Sequence, residues 1–468
     1  MLFNSFEFLI FLPIVFALYW FVFNKSLKWQ NVLILFASYF FYGWWSWKFM
    51  GLLMLSTALD YGYGFWVASP NPKKAKLFLW LSIINNLGIL AIFKYYNFFA
   101  LQFQNGFELL GLHTNPILLN VALPIGISFY TFHGMSYVID IYRGQQKPVS
   151  SFVDYAVFVS FFPLLVAGPI ERANHLLPQV QKPRTFNYTQ AVEGCRLIIW
   201  GMFKKVVVAD NLAIAVDDIY NDYSNLNSIN LIIGAIYFSF QIYCDFSGYS
   251  DIARGVAKFF GFELLLNFNN PYMSKSIPEF WKKWHISLSS WFRDYLYIPI
   301  GGSKEGRAKA IRNVFIIFLV SGFWHGANWT FITWGAIHAL FFLPGFIKKH
   351  NQDTSPEHHV IVQYLSILFT FSIVTFAWIF FRSQNLIQAK NYICRILFSR
   401  FRFQDFIEWR SESTEGSHFE FLVILILFAT MNKVKNMNSI VIPNTILLIT
   451  TLIFGMFMNP ANFIYFQF

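Results

Sequence analysis

Charge is scarce in this chain. Only 13% of its 468 residues are Asp, Glu, Lys or Arg, about half the share of a soluble domain. Acids are the scarcer sign, 24 against 35 Lys and Arg. A soluble globular domain is excluded by the lack of a charged surface, and a disordered chain by the high apolar content. Cysteine is nearly absent. Cys195, Cys244 and Cys394 are far apart and odd in number, which supports neither a disulfide framework nor a CxxC metal or redox site. The GxxxxGKS/T phosphate loop, GxGxxG, HExxH and the GxSxG nucleophile elbow are also missing, so nucleotide hydrolysis and serine-hydrolase chemistry lose support.

What fills the space is apolar. Hydrophobic residues make up 56%, with 59 Phe, 23 Tyr and 16 Trp, the composition of a polytopic membrane protein. Apolar segments fall near residues 7–24, 30–47, 49–66, 77–93, 117–139, 190–208, 229–244, 313–345, 360–381, 419–431 and 439–457. This predicts an all-α chain with about 10–12 transmembrane helices, supplemented by re-entrant and interfacial helices. The first segment follows no basic residue, contains Glu7 and precedes Lys25 and Lys28, which reads as a retained helix rather than a cleaved signal. Lys73, Lys74 and Lys76 after the third segment favour an N-terminus outside. The net charge of +11 is spread between spans without a nucleic-acid motif. It reflects cytoplasmic loop bias and implies no nucleic-acid partner.

Residues 313–347 carry no charged side chain, yet their middle reads Gly322-Phe323-Trp324-His325-Gly326-Ala327-Asn328-Trp329. A straight helix over this stretch would run about 50 Å against a hydrocarbon core of about 30 Å. The segment is therefore expected to bend or form two spans, with the break at Gly322, Gly326 and Asn328 where helix propensity is lowest. His325 is then an intramembrane imidazole facing a cavity, a functional candidate; the structural alternative is a buried histidine satisfied by a neighbouring carbonyl. Upstream, Phe280, Trp284, Leu288, Trp291 and Tyr295 recur at helical spacing through residues 280–295, predicting an amphipathic interfacial helix. Lys282, Lys283, Arg293, Lys304, Arg307, Lys309 and Arg312 cluster there, as if to receive a phosphorylated substrate.

Hydroxyls and carboxylates gather at Asp245-Phe246-Ser247-Gly248-Tyr249-Ser250-Asp251 and near Ser128. Imidazoles and hydroxyls without a metal-binding set suit acyl transfer, in which a neutral histidine takes the proton of an attacking hydroxyl. Asp245, Ser247, Tyr249, Ser128 and Trp324 are candidates to shape the path, although Asp, Ser and Gly also favour a turn after a span. His285 stands between a second catalytic role and an anchor of the amphipathic helix. His285, His325 and His338 lack close ligand spacing, so no metal site is expected.

The runs Pro124-Ile125-Gly126-Ile127-Ser128-Phe129, Asp140-Ile141-Tyr142-Arg143, Gly168-Pro169-Ile170-Glu171-Arg172, Asp245 to Asp251, Trp284-His285 and Trp324-His325-Gly326 together resemble the membrane-bound O-acyltransferase family, nearest its bacterial alginate O-acetyltransferase branch. The resemblance runs to about residue 382 and weakens after 385. It implies one integral-membrane domain over 1–468, with a core of 1–382 and more variable helices in 383–468, arranged around a central funnel or tunnel. It places the family's histidine at His325 and a supporting one at His285. It further implies acetyl-coenzyme A as a donor substrate rather than a tightly bound cofactor, with Lys282, Lys283 and Arg293 near its phosphates. The acceptor would be an extracytoplasmic cell-envelope glycan, such as an alginate-like polymer or peptidoglycan, reached directly or through a periplasmic partner acetyltransferase. The protein would sit in a bacterial inner membrane. The rival reading is a transporter or export component with His325 as a proton relay.

Overall fold

The computed structural model of the chain describes residues 1–404, 407, 441–457 and 463, apart from residues 114, 121, 167 and 352–359. The span expected at 419–431 lies outside the described residues. Every regular element among them is helical. Four stretches are long and apolar enough to cross a bilayer by themselves, Pro72–Leu109, Ser228–Phe259, Trp329–Ile347 and Val360–Arg382. The chain is a multi-pass membrane protein and divides into two compact units, Met1–Ile198 with Ser250–Leu265, and Ile199–Tyr249 with Leu266–Phe468.

The first unit opens with α1 (Phe6–Ala17), whose first turn is capped by the Ser5 hydroxyl accepting from the Phe8 amide, in the usual serine N-cap manner. The helix runs on into a π-helical turn, Leu18–Val22. Then come α2 (Leu27–Gly43), α3 (Trp47–Val67), α4 (Pro72–Leu90) and α5 (Tyr96–Leu109). Pro72 at the start of α4 and the Asn71 side chain accepting from the Lys73 and Lys74 amides fix where that helix begins. Helix α6 (Ile127–Tyr142) starts ten residues later than the apolar run at 117–139 suggested. Gly126 precedes it with a left-handed φ of 73°, and a Cβ there would lie 2.1 Å from the Leu165 carbonyl oxygen. Short helices α7 (Phe152–Ser160), α8 (Phe162–Leu165) and α9 (Ala173–Val180) follow, and α10 (Tyr188–Met202) leads out of the unit.

In the second unit a π-helical stretch, Phe203–Ala209, joins α10 to α11 (Asp210–Asn221). Helix α12 (Ser228–Phe259) is 32 residues long. The Asp245 to Asp251 run, read from sequence as the turn after a span, thus lies inside a helix. Its glycine serves packing: a Cβ at Gly248 would stand 2.8 Å from the Gly201 carbonyl and 3.1 Å from the Lys205 amide. The second unit continues with α13 (Ile277–Lys283), α14 (Ile286–Phe292), α15 (Arg307–His325), α16 (Trp329–Asn351), α17 (Val360–Arg382), α18 (Leu386–Phe398) and α19 (Val441–Phe454). As expected, the apolar stretch at 313–347 is two helices broken at residues 326–328. The pair packs without side chains in the way: a Cβ at Gly322 would come within 2.3 Å of the Phe331 carbonyl, and one at Gly335 within 2.2 Å of the Phe318 carbonyl. Small residues let membrane helices approach in this manner.

Candidate active site

His285 and His325 meet in the second unit, and both owe their position to a helix end. His325 is the last residue of α15, followed by extended Gly326. A Cβ at Gly326 would overlap the Phe331 ring at 2.2 Å. Asn328 then restarts the chain, its side-chain oxygen accepting from the Thr330 amide at 3.1 Å.

His285 sits between α13 and α14 with a left-handed φ of 43°, a conformation non-glycine residues adopt at a cost. The single amphipathic helix expected over 280–295 is therefore two short ones. Phe280 and Trp281 are buried on the first, Trp284 at the break, and Leu288 and Trp291 on the second. The break is held by Asn267. Its carbonyl accepts from the Ile286 amide at 2.9 Å, and its side-chain oxygen accepts from the Ser287 hydroxyl at 2.6 Å. The amide of Asn269 donates to the Lys283 carbonyl at 3.0 Å. A sequence period cannot reveal such a break, because the groups that stabilise it lie in another segment.

The two imidazoles are 0% and 3% exposed, with ring centroids 6.4 Å apart and planes inclined at 49°. Aromatic rings surround them. His325 packs on Trp324 at 4.9 Å, Trp334 at 5.2 Å and Phe381 at 5.4 Å. His285 packs edge-on to Phe246 at 4.6 Å and parallel to Phe268 at 6.4 Å. Helices α13 and α14 are too short to span a bilayer. Burial there pushes the His285 imidazole below the ordinary histidine range, which keeps it neutral and able to accept a proton.

Asp245, Ser247 and Tyr249 join a second cluster. Successive helical residues diverge by about 100°, so Asp245 faces away from neighbouring Phe246, which touches His285. The Lys205 ammonium bridges Asp210 and Asp245, at 2.8 Å each, and lies 5.7 Å over the Tyr249 ring. Lys204 donates to the Ser247 hydroxyl at 3.0 Å. Both lysines come from the π-helical stretch, a distortion frequent at functional sites, and sequence reasoning passed over them. The signal was present: two adjacent lysines inside the apolar run at 190–208 need buried partners. Phe463 is buried 4.3 Å from the Tyr249 ring and 6.1 Å from Phe246.

An apolar cavity of about 480 Å³ lies between α13–α14 and α15–α16, with Trp281, Phe292, Phe318 and Phe346 in its wall; neither histidine lines it, but Ile286, next in the chain to His285, does. Lys282 and Arg293 line it too. Lys283 instead pairs with Glu279 at 2.7 Å; burial is the largest influence on that carboxyl and raises it, but the hydrogen bonds from Lys283 and the Lys275 amide, together with the two lysine charges, outweigh it and hold the group below its ordinary range. Ser128 is buried on α6 in the first unit. His338 accepts from the Trp281 indole N–H at 3.3 Å and buttresses the cavity wall.

Comparison with known proteins gives a consistent result. Residues 142–387 match the model of the membrane-bound O-acyltransferase family. The chain is 41% identical over 396 residues to a probable alginate O-acetylase of Pseudomonas putida, covering 84% of this chain and 79% of that one. It is 36% identical over 423 residues to a peptidoglycan O-acetyltransferase of Helicobacter pylori, covering 83% and 78%. A teichoic acid D-alanyltransferase of Bacillus subtilis is 31% identical over 284 residues, 56% of this chain and 69% of that one.

Proposed function

Because the chain belongs to the membrane-bound O-acyltransferase family and is an O-acyltransferase, we propose that it moves an acetyl group from cytoplasmic acetyl-coenzyme A to a hydroxyl of an extracytoplasmic cell-envelope polysaccharide. The observation that carries this reading is the pair of buried imidazoles 6.4 Å apart in an aromatic wall, with Ile286, beside His285 in the chain, in the wall of a cavity lined by two cations. The relatives named above act on alginate, peptidoglycan and teichoic acid, all envelope polymers.

The chemistry follows from those parts. The apolar cavity receives the thioester arm while Lys282 and Arg293 meet the donor's phosphates, a contact between cations and anions that fixes orientation. The His325 imidazole takes the proton of the attacking hydroxyl as its oxygen bonds to the acetyl carbon. The carbon–sulfur bond breaks, and the imidazolium returns the proton to the departing thiolate, so charge and atoms balance. His285 is placed to polarise or orient from the second ring position. The acetyl group passes to the glycan directly or through a periplasmic partner acetyltransferase, in a bacterial inner membrane.

Release of coenzyme A from acetyl-coenzyme A by the detergent-solubilised protein tests this, with wild type beside His325→Ala. Release lost in a variant that elutes and melts like wild type supports the reading. Wild-type release from that variant refutes it.

A further inference from the structure

The second unit contains another pocket, of about 300 Å³, at the lower end of the range of about 300–1,000 Å³ for ligand sites. It opens where the end of α11 meets the turn between α17 and α18. Tyr220, Asn221, Tyr223, Gln384, Asn385 and Gln388 line it, and no lining side chain is charged. The walls are fixed. Gln388 donates to the Tyr220 carbonyl at 3.0 Å and accepts from the Gln384 amide at 2.7 Å. Tyr220 is stacked on Tyr392 at 4.6 Å. The side-chain amides of Asn221 and Gln384 and the Tyr223 phenol make no hydrogen bond among the described residues, which leaves donors and acceptors for a ligand.

Position adds a second argument. The Gln384 carbonyl accepts from the Asn328 side chain at 2.8 Å, three residues beyond His325. Phe381, three residues before Gln384, packs on the His325 ring. The pocket thus lies at the His325 end of α15, whereas Arg307, Lys309 and Arg312 crowd the other end, about 28 Å away at 1.5 Å per residue. Asp217, Asp218 and Asp222 stand at the pocket's end of α11.

Resting on the acyl-acceptor reading above, we propose that this pocket is a subsite for one uncharged sugar ring of the acceptor glycan. Amides and phenols match the paired donor and acceptor character of sugar hydroxyls, and the Tyr223 ring covers the apolar C–H face, Tyr220 being fully buried against Tyr392. No lining side chain offers a cation to a phosphate or carboxylate ligand, and the nearby Arg382, 5.3 Å over the Tyr220 ring, is paired with Asp217.

The test is binding of chitotetraose, a neutral probe, and of tetramannuronate, a charged one, to the full-length detergent-solubilised protein without acetyl-coenzyme A. Chitotetraose is expected to bind wild type and His325→Ala alike, and the surface double variant Asn221→Ala/Gln384→Ala about tenfold more weakly, the scale of one lost net hydrogen bond. Tyr223→Phe, which keeps the ring, should weaken binding less. In turnover the KM for glycan rises about as much in the double variant, while that for acetyl-coenzyme A holds. Equal affinity in wild type and double variant overturns the proposal, as does binding of tetramannuronate alone. Unchanged sugar affinity with loss of a co-purifying acetyltransferase assigns the pocket to a protein partner and overturns it too. Sugar bound through these residues by a protein that releases no coenzyme A leaves the pocket standing and removes the acyl-transfer reading instead.

Discussion

The two units bury polar groups in different company. In the first, carboxylates are enclosed by hydrogen-bond donors. Asp60 accepts from the Ser82 hydroxyl at 2.9 Å and from the Asn86 amide at 2.9 and 3.1 Å. Gly134 on α6 makes room for it, since a Cβ there would stand 2.0 Å from its Oδ2. Glu171 accepts from the Leu265 amide at 2.7 Å and pairs with His175 at 2.6 Å, while its own amide donates to His133 at 3.0 Å. In the second unit the histidines are walled by aromatic rings, and a lysine rather than an amide holds two aspartates together. The first arrangement satisfies each carboxylate and specifies packing. The second keeps imidazoles dry beside a cavity, which suits proton transfer. On the function proposed above, one set of buried polar residues serves stability and part of the other serves chemistry.

His325→Ala separates the two most sharply. Activity should fall about 10²- to 10⁴-fold, the contribution of a positioned acid–base group, with the melting temperature little changed; coenzyme A release and a thermal scan read both. Lys205→Met comes next. It leaves Asp210 and Asp245 buried without their shared cation, a change expected to cost about 3–5 kcal/mol, seen as loss of folded protein in detergent. Asp60→Ala is smaller. The Ser82 hydroxyl and Asn86 amide lose an acceptor at about 1–3 kcal/mol, and turnover per folded molecule should hold. An Asp60→Ala protein that folds normally but no longer releases coenzyme A would break the division between the units.

The elements nearest the chemistry were legible where local rules decide them. The break after His325 follows from Gly322, Gly326 and Asn328 interrupting an apolar run too long for one crossing, and the chain breaks at 326–328. Three features were not legible. The interruption at His285 depends on Asn267, 18 residues upstream, and a period-3.6 stripe reads straight through it. The continuation of α12 past Asp245 depends on Gly248 packing against Gly201 and Lys205, a contact that no local propensity encodes. The pocket around Gln384 is built from the ends of α11 and α18, segments 168 residues apart at the Gln388–Tyr220 hydrogen bond, which only the fold brings together. Local propensity marks where a helix weakens, and distant partners decide whether it ends.

The smallest effect tests the first unit's side of the comparison. The hydrogen bond from His175 to Glu171 raises the imidazole's pKa above its ordinary value, against partial burial that lowers it. A group whose folded value is raised lends stability that is fully present below its unfolded value, about 6.5, and lost as pH climbs through the folded value. The side chain is 36% exposed, so solvent screening limits the gain to under about 1 kcal/mol. The melting temperature should therefore decline modestly from pH about 6.5 upward, and His175→Gln, which keeps a donor without the charge, should flatten that slope while coenzyme A release keeps its own pH profile. If His175→Gln instead shifts the pH profile of turnover and leaves the thermal slope intact, the Glu171–His175 pair belongs to the chemistry, and satisfied hydrogen bonding is no guide to which buried groups in this fold are structural.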